Sequence, residues 1–145
     1  MTRIDFYILA EQALDQQHRF ACQLAEKALL RGHSVLLQVN NEAEAQQLDQ
    51  LLWTFRANAF VPHELLPDAN PEQPALVSIG WDTEGGHQHD VLINLASELP
   101  PFFARFQRLI EVVVQHDVVL DYTRKHYKFL KDRGYPIHNT DMRLR

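Results

Sequence analysis

The first forty residues restrict the fold more than any other stretch. Residues 3–9, R-I-D-F-Y-I-L, form an apolar run rich in β-branched and aromatic side chains, and residues 34–39, S-V-L-L-Q-V, form a second. Between them Phe20, Leu24, Ala28 and Leu29 recur at i, i+4, i+8 and i+9, a single helical stripe. Gly32 follows Arg31 where a helix C-cap belongs. Strand, helix, glycine turn and strand make a βαβ unit, which pairs its strands in parallel through a right-handed crossover.

The remainder continues the alternation. Asn40 or Asn41 can cap a second helix, with Glu42 and Glu44 in its first turn and Ala45, Leu48, Leu52 and Phe55 along one side. An irregular segment, R-A-N-A-F-V-P-H-E-L-L-P, follows, and residues 66–74 hold three of the seven prolines and read as a loop. Strands are expected over 75–81, 90–96 and 109–114, a turn over 82–89, and a short helix from Pro100 through P-P-F-F-A-R-F-Q. A last helix runs from about Asp117 to Arg133 and is stopped by Gly134 and Pro136. The pattern predicts a single three-layer α/β/α domain over residues 1–145 with a mostly parallel sheet, Rossmann-like in outline. A chain of 145 residues with 46% apolar and 23% charged residues can bury a core of that kind. No apolar run is long enough to span a bilayer, and the start lacks the apolar stretch of a signal peptide. With the single cysteine Cys22, these features lead us to expect a cytoplasmic protein without a membrane partner.

Folds of this type often bind nucleotides, yet the five glycines form neither G-x-G-x-x-G nor G-x-x-x-x-G-K-[ST]. The first βα turn has no glycine and carries Glu11 and Asp15, a poor cradle for phosphate. His87-Gln88-His89-Asp90 has a spacing that can converge on a metal, but the pattern is weakly specific and a solvated turn is the favoured reading. Cys22 lies mid-helix beside the apolar stripe, the ordinary place for an inert buried thiol. With no nucleophile elbow and no distinctive carboxylate pair, no catalytic residues, metal or cofactor are expected.

Two features call for a partner instead. Trp53, Phe55 and Phe60-Val61-Pro62-His63 gather large apolar groups about a helix end, either as a cap on the sheet or as a protein-binding patch. The last helix is the second. Residues 122–145 hold seven of the fourteen Lys and Arg against Asp132 and Asp141, so this segment is about +5 in a chain of net charge −5, leaving residues 1–121 at about −10. Arg124, Lys128 and Lys131 fall at i, i+4 and i+7 with Tyr127 on their border, while Leu120, Tyr122, Phe129 and Leu130 are expected to seat the helix on the sheet. Cations around a tyrosine can grip a carboxylate-bearing peptide or a phosphate backbone.

These motifs, in order, resemble the chi subunit of the bacterial DNA polymerase III holoenzyme. The similarity rests on D-F-Y-I-L, A-E-K-A-L-L-R-G-H-S-V-L-L, A-Q-Q-L-D-Q-L-L-W-T-F with F-V-P-H-E-L, V-S-I-G-W, V-L-I-N-L, R-L-I-E-V-V and R-K-H-Y-K-F-L-K-D-R-G-Y. It spans essentially the whole chain, although His126 stands where arginine is common in the family. The resemblance implies a non-catalytic accessory subunit within a DNA-directed DNA polymerase assembly. Its partners would be the psi subunit, which tethers it to the clamp loader, and the acidic C-terminal tail of single-stranded DNA-binding protein. It implies that Trp53, Phe60, Val61, Pro62 and His63 face psi, and that Arg124, Tyr127, Lys128 and Lys131 hold the tail. Direct binding of single-stranded nucleic acid by the basic helix is the alternative, with Lys125, Arg143 and Arg145 unassigned.

Overall fold

A computed structural model describes all residues except Pro71, Asp82, Thr83, Gly85 and Arg145. Parts of the predicted 66–74 loop and 82–89 turn, and the final arginine of the basic tally, therefore lie outside the described residues. The strands are β1 (Arg3–Ile8), β2 (Val35–Gln38), β3 (His63–Leu65), β4 (Val77–Gly80), β5 (Val91–Asn94), β6 (Arg108–Val113) and β7 (Ile137–Asp141). The helices are α1 (Leu14–Leu30), α2 (Glu42–Thr54) and α3 (Asp117–Asp132). They build one sheet of order β3-β4-β2-β5-β6-β1-β7, and every pairing is parallel. The expected three-layer α/β architecture is what the chain adopts.

Side-chain alternation along β1 sorts the layers. The Phe6 ring meets Tyr127 of α3 at 5.5 Å, and its neighbour Tyr7 meets Phe20 of α1 at the same distance. Successive strand residues point to opposite faces, so α1 and α3 cover opposite sides of the sheet. The crossover rule gives the reason. From β1 the chain runs through α1 toward β2, and from β6 through α3 toward β7, which are opposite directions along the sheet. The central strands β2, β4 and β5 are buried at every position, as their unbroken apolar runs require.

Three local readings change. The segment thought irregular before Pro67 contains the edge strand β3. Its three residues gain order from pairing with β4, a long-range contact that local propensity does not carry. The expected helix from Pro100 is only a 3-10 turn, Phe103–Arg105, in which Phe103 alone is buried, against Tyr135 at 5.4 Å, so no helical stripe forms. Beyond Pro136, where no element was expected, β7 adds a seventh strand beside β1.

Helix ends follow the sequence closely. Asn41 Oδ1 accepts the Glu44 N–H at 2.9 Å and caps α2. Gly32 and Gly134 take φ of +79° and +78° just past α1 and α3. After α3, the Gly134 N–H reaches the Lys131 carbonyl at 3.0 Å and the Tyr135 N–H reaches Leu130 at 3.2 Å. That pair of bonds turns the chain from α3 into β7 and needs a left-handed residue. A Cβ at Gly134 would meet nothing within 4 Å, so the cost of a side chain there is conformational alone. Gly134→Ala is expected to lower stability by about 1 kcal/mol, and Gly134→Asn by less, in urea unfolding followed by circular dichroism.

Candidate functional site

Helix α3 is held down by a buried ion pair. Glu111 on β6 is 2% exposed and His126 on α3 is 6% exposed. His126 Nδ1 lies 2.8 Å from both Glu111 carboxylate oxygens, and its Nε2 lies 3.0 Å from the Ser97 carbonyl. Asn94 Nδ2 donates to the same carboxylate at 3.0 Å. Both ring nitrogens therefore face acceptors, the arrangement of an imidazolium. Burial pushes the His126 pKa down, but the hydrogen bond and charge of Glu111, with smaller help from Ser97 and Glu98, outweigh it and leave the pKa raised. Sequence reading assigned the seating of α3 to Leu120, Tyr122, Phe129 and Leu130. Leu130 is buried and Leu120 and Tyr122 pack partly buried against the core, as expected, whereas Phe129 is exposed, edge-on to Phe103 with the Arg133 guanidinium stacked on it at 3.6 Å. Val119 and His126 take the inner positions.

With α3 seated, a cleft of about 600 Å³ opens between it and the β1–β7 edge of the sheet. Phe6, Ile8, Val113, Leu120 and Tyr127 make its apolar lining, and Arg124 and Arg143 are the cations along it. The charges of α3 divide by pairing. Lys128 Nζ lies 2.7 Å from Asp132, and Lys125 Nζ lies 3.3 Å from Asp121, each one helical turn away. The Lys128 contact also holds the Asp132 carboxyl below its usual pKa. Lys131 Nζ lies over the Tyr127 ring at 5.9 Å. Arg143 is clamped to Asp141, with 2.9 and 2.6 Å contacts. Arg124 has no carboxylate partner among the described residues and is exposed at the cleft. The structure thus brings Arg124 and Tyr127 together on the cleft, sets Lys131 against Tyr127, and turns Lys128 to an acid on its own helix. Arg143 enters the lining from the end of β7, which sequence reading left unassigned. Its only sequence signal is the two-residue alternation of Ile137, Asn139 and Asp141, which is too polar to read as a strand.

The aromatic residues gather at the opposite edge of the sheet. Trp53, at the end of α2, is 46% exposed and Phe60 is 69% exposed, with ring centroids 6.0 Å apart. His63 packs 4.7 Å from Trp53, donates through Nδ1 to the Val61 carbonyl at 2.6 Å, and sets Nε2 2.7 Å from Asp49. Val61 is buried, so it anchors the segment, while Pro62 is exposed beside Phe60. Phe55 is buried and belongs to the core. Trp53 and Phe60 thus form an outward apolar patch on a locally fixed frame.

Other candidates resolve simply. Cys22 is buried, and burial pushes its thiol up to about 12, as an inert core thiol requires. Asp90 spends one carboxylate oxygen on the Ser34 N–H at 2.7 Å and the Ser34 hydroxyl at 3.1 Å. The crevice above the carboxyl ends of the strands, where open α/β sheets usually take ligands, is lined by Asp15 and Glu44. Asp15 is paired with Arg19 at 2.7 Å, so Glu44 is the carboxylate that repels phosphate there.

The His126–Glu111 pair makes a pH prediction. A folded-state pKa raised above the unfolded value of about 6.5 stabilises fully below that value, and the contribution is lost as pH rises through the folded pKa. Stability from urea unfolding should therefore fall on going alkaline, and His126→Gln should flatten the slope. His126→Ala, which strands a buried carboxylate, should cost about 3 kcal/mol.

The chain matches the model of the family described as DNA polymerase III chi subunit, HolC, over residues 1–138. It is 38% identical over 137 residues to DNA polymerase III subunit chi of Pseudomonas aeruginosa, covering 94% of each chain. Against the protein of that name from Haemophilus influenzae it is 35% identical over 131 residues, covering 90% of each. Its fold also resembles the crystal structure of T4 UvsW, with a TM-score of 0.70 at 7% identity. That likeness covers 99% of this chain and 42% of the other, and speaks to the fold alone.

Proposed function

The chain belongs to the DNA polymerase III chi subunit family, and on that basis we propose that it is a non-catalytic accessory subunit of the replicative polymerase. In this reading it works in the bacterial cytoplasm and joins two partners during DNA replication. The psi subunit, and through it the clamp loader, sits on Trp53, Phe60 and Pro62, with the buried Val61 and His63 side chains holding that patch in place. The acidic C-terminal tail of single-stranded DNA-binding protein enters the cleft beside α3. The observation that carries the reading is Arg124, without an acid partner among the described residues, next to the Tyr127–Phe6 lining. An acidic tail ending in an aromatic residue needs a cation for its carboxylates and an apolar slot for its ring. Tyr127 and Phe6 offer the slot, and Arg124 is the cation. Lys131 adds positive potential over the same ring, and Lys128 contributes less because Asp132 already holds it.

Fluorescence anisotropy with a tail peptide tests the cleft. Arg124→Ala should weaken binding about tenfold or more, as loss of a charged hydrogen bond of roughly 1.5–3 kcal/mol implies. Lys128→Ala should weaken it less, and added salt should weaken the wild type. Unchanged affinity for Arg124→Ala counts against the assignment, as would tighter binding of a bare oligonucleotide than of the tail.

The aromatic patch is tested separately. Phe60→Ala should impair copurification of psi by about 2 kcal/mol of binding energy or more, the loss typical of an interface anchor. The same variant should bind the tail peptide like the wild type.

A further inference from the structure

We infer that the α1 side of β1 and β7 is a second docking surface, and that it takes an acidic amphipathic helix. The inference goes beyond the two sites above and rests on neither. Because α1 leaves β1 in the direction of β2, it passes over β6 and β5, reaches β1 through the Phe20–Tyr7 contact, and leaves β7 and the β7 side of β1 uncovered on that face. A groove of about 510 Å³ lies there. Tyr7, Thr140 and Met142 line its strand side, and Phe20, Leu24 and Ala28 of α1 form its wall. The apolar groups among these are only partly buried, so they pack on the core and still present surface. Thr140 and Met142 alternate with Asn139 and Asp141, which face the α3 cleft, so the groove and the cleft lie on opposite faces of β7.

Charge selects the occupant. Lys27 and Arg31 stand one turn apart on the groove wall, both exposed and neither paired with a carboxylate among the described residues. Arg108 at the floor is already matched by Asp5 at 2.7 Å and the Tyr7 hydroxyl at 2.9 Å, so Lys27 and Arg31 carry the positive charge of the groove. The acid on the lining, Asp90, is already engaged by Ser34. A strand floor with one helix as its wall is the seat that a further helix occupies in a three-layer α/β architecture. A helix placed there sets its apolar stripe on Tyr7, Leu24 and Met142, and its flank against Lys27 and Arg31, which asks for Glu or Asp on that flank.

The probe is a fluorescein-labelled helical peptide of about 18 residues, or five turns, with leucines along one stripe and glutamates elsewhere. Binding is read by anisotropy and, on the full isotope-labelled chain, by amide shifts. The wild type should bind it with shifts at Leu24, Lys27, Thr140 and Met142. The double variant Lys27→Glu with Arg31→Glu should weaken it about tenfold or more, and Met142→Glu should do the same without touching the helix wall. Both variants should keep the wild-type circular dichroism melt and the wild-type affinity for the tail peptide, so this test fails or succeeds apart from the cleft. Four outcomes would overturn the proposal. They are no binding, shifts confined to α3 or the Trp53–Phe60 patch, equal binding of a peptide with lysines in place of glutamates, or an oligothymidine that binds the groove with the same dependence on Lys27 and Arg31.

Discussion

The ion pair between Glu111 and His126 is the contact on which the outer layer depends. Glu111 sits in β6 between Phe6 of β1 and Asn94 of β5, with Ile110 and Val112 beside it in its own strand, and is buried. A lone carboxylate there is costly to bury, and His126 with Asn94 neutralises and satisfies it. The partner is a helix residue, so the compensation also fixes the depth and rotation of α3. The Ser97 carbonyl on the other ring nitrogen ties in the segment after β5. Rotation of α3 decides that Tyr127 meets Phe6 and that Arg124 stands on the cleft. A polar contact in the core thus sets the geometry of a surface feature one turn away.

Total charge is a poor guide to what this helix presents. The segment is strongly basic, yet most of its cations are engaged by acids or rings in the same molecule. Lys125 and Lys128 find acids at helical spacing, Arg143 finds Asp141, and Arg133 lies on Phe129. Exposed pairs of this kind contribute little to stability. They do lower the potential offered to a ligand, and they leave Arg124 distinct. The acidic lining of the usual ligand crevice acts in the same sense, since anions are repelled from the strand ends and favoured along α3.

Much of this was legible in the sequence, for physical reasons that differ by element. The βαβ opening, the Asn41 cap and the glycine stops after α1 and α3 are local, so spacing alone reveals them. The buried strands announce themselves by unbroken apolar runs. β3 and β7 do not, because they are short or polar and exist through pairing with β4 and β1. Arg124 and Tyr127 were found because helical periodicity puts them on one face. Arg143 was not assigned, because its place depends on β7 having formed. His126 stood out only as a histidine where the family commonly has arginine, since nothing in a single chain reveals that Glu111 waits opposite.

The strand order has a mechanical meaning. The Trp53–Phe60 patch flanks β3 and the α3 cleft flanks β7, the two ends of one seven-stranded sheet. With strands about 4.8 Å apart, the ends are separated by on the order of 30 Å. A pull between objects fixed at these ends acts along the interstrand hydrogen bonds, not along the strands. Bonds loaded in that direction can break in succession instead of all together. β3 has three residues in register with β4, while β7 has five with β1. Under tension the β3 edge should yield first, and the bond between β7 and its neighbour should outlast it.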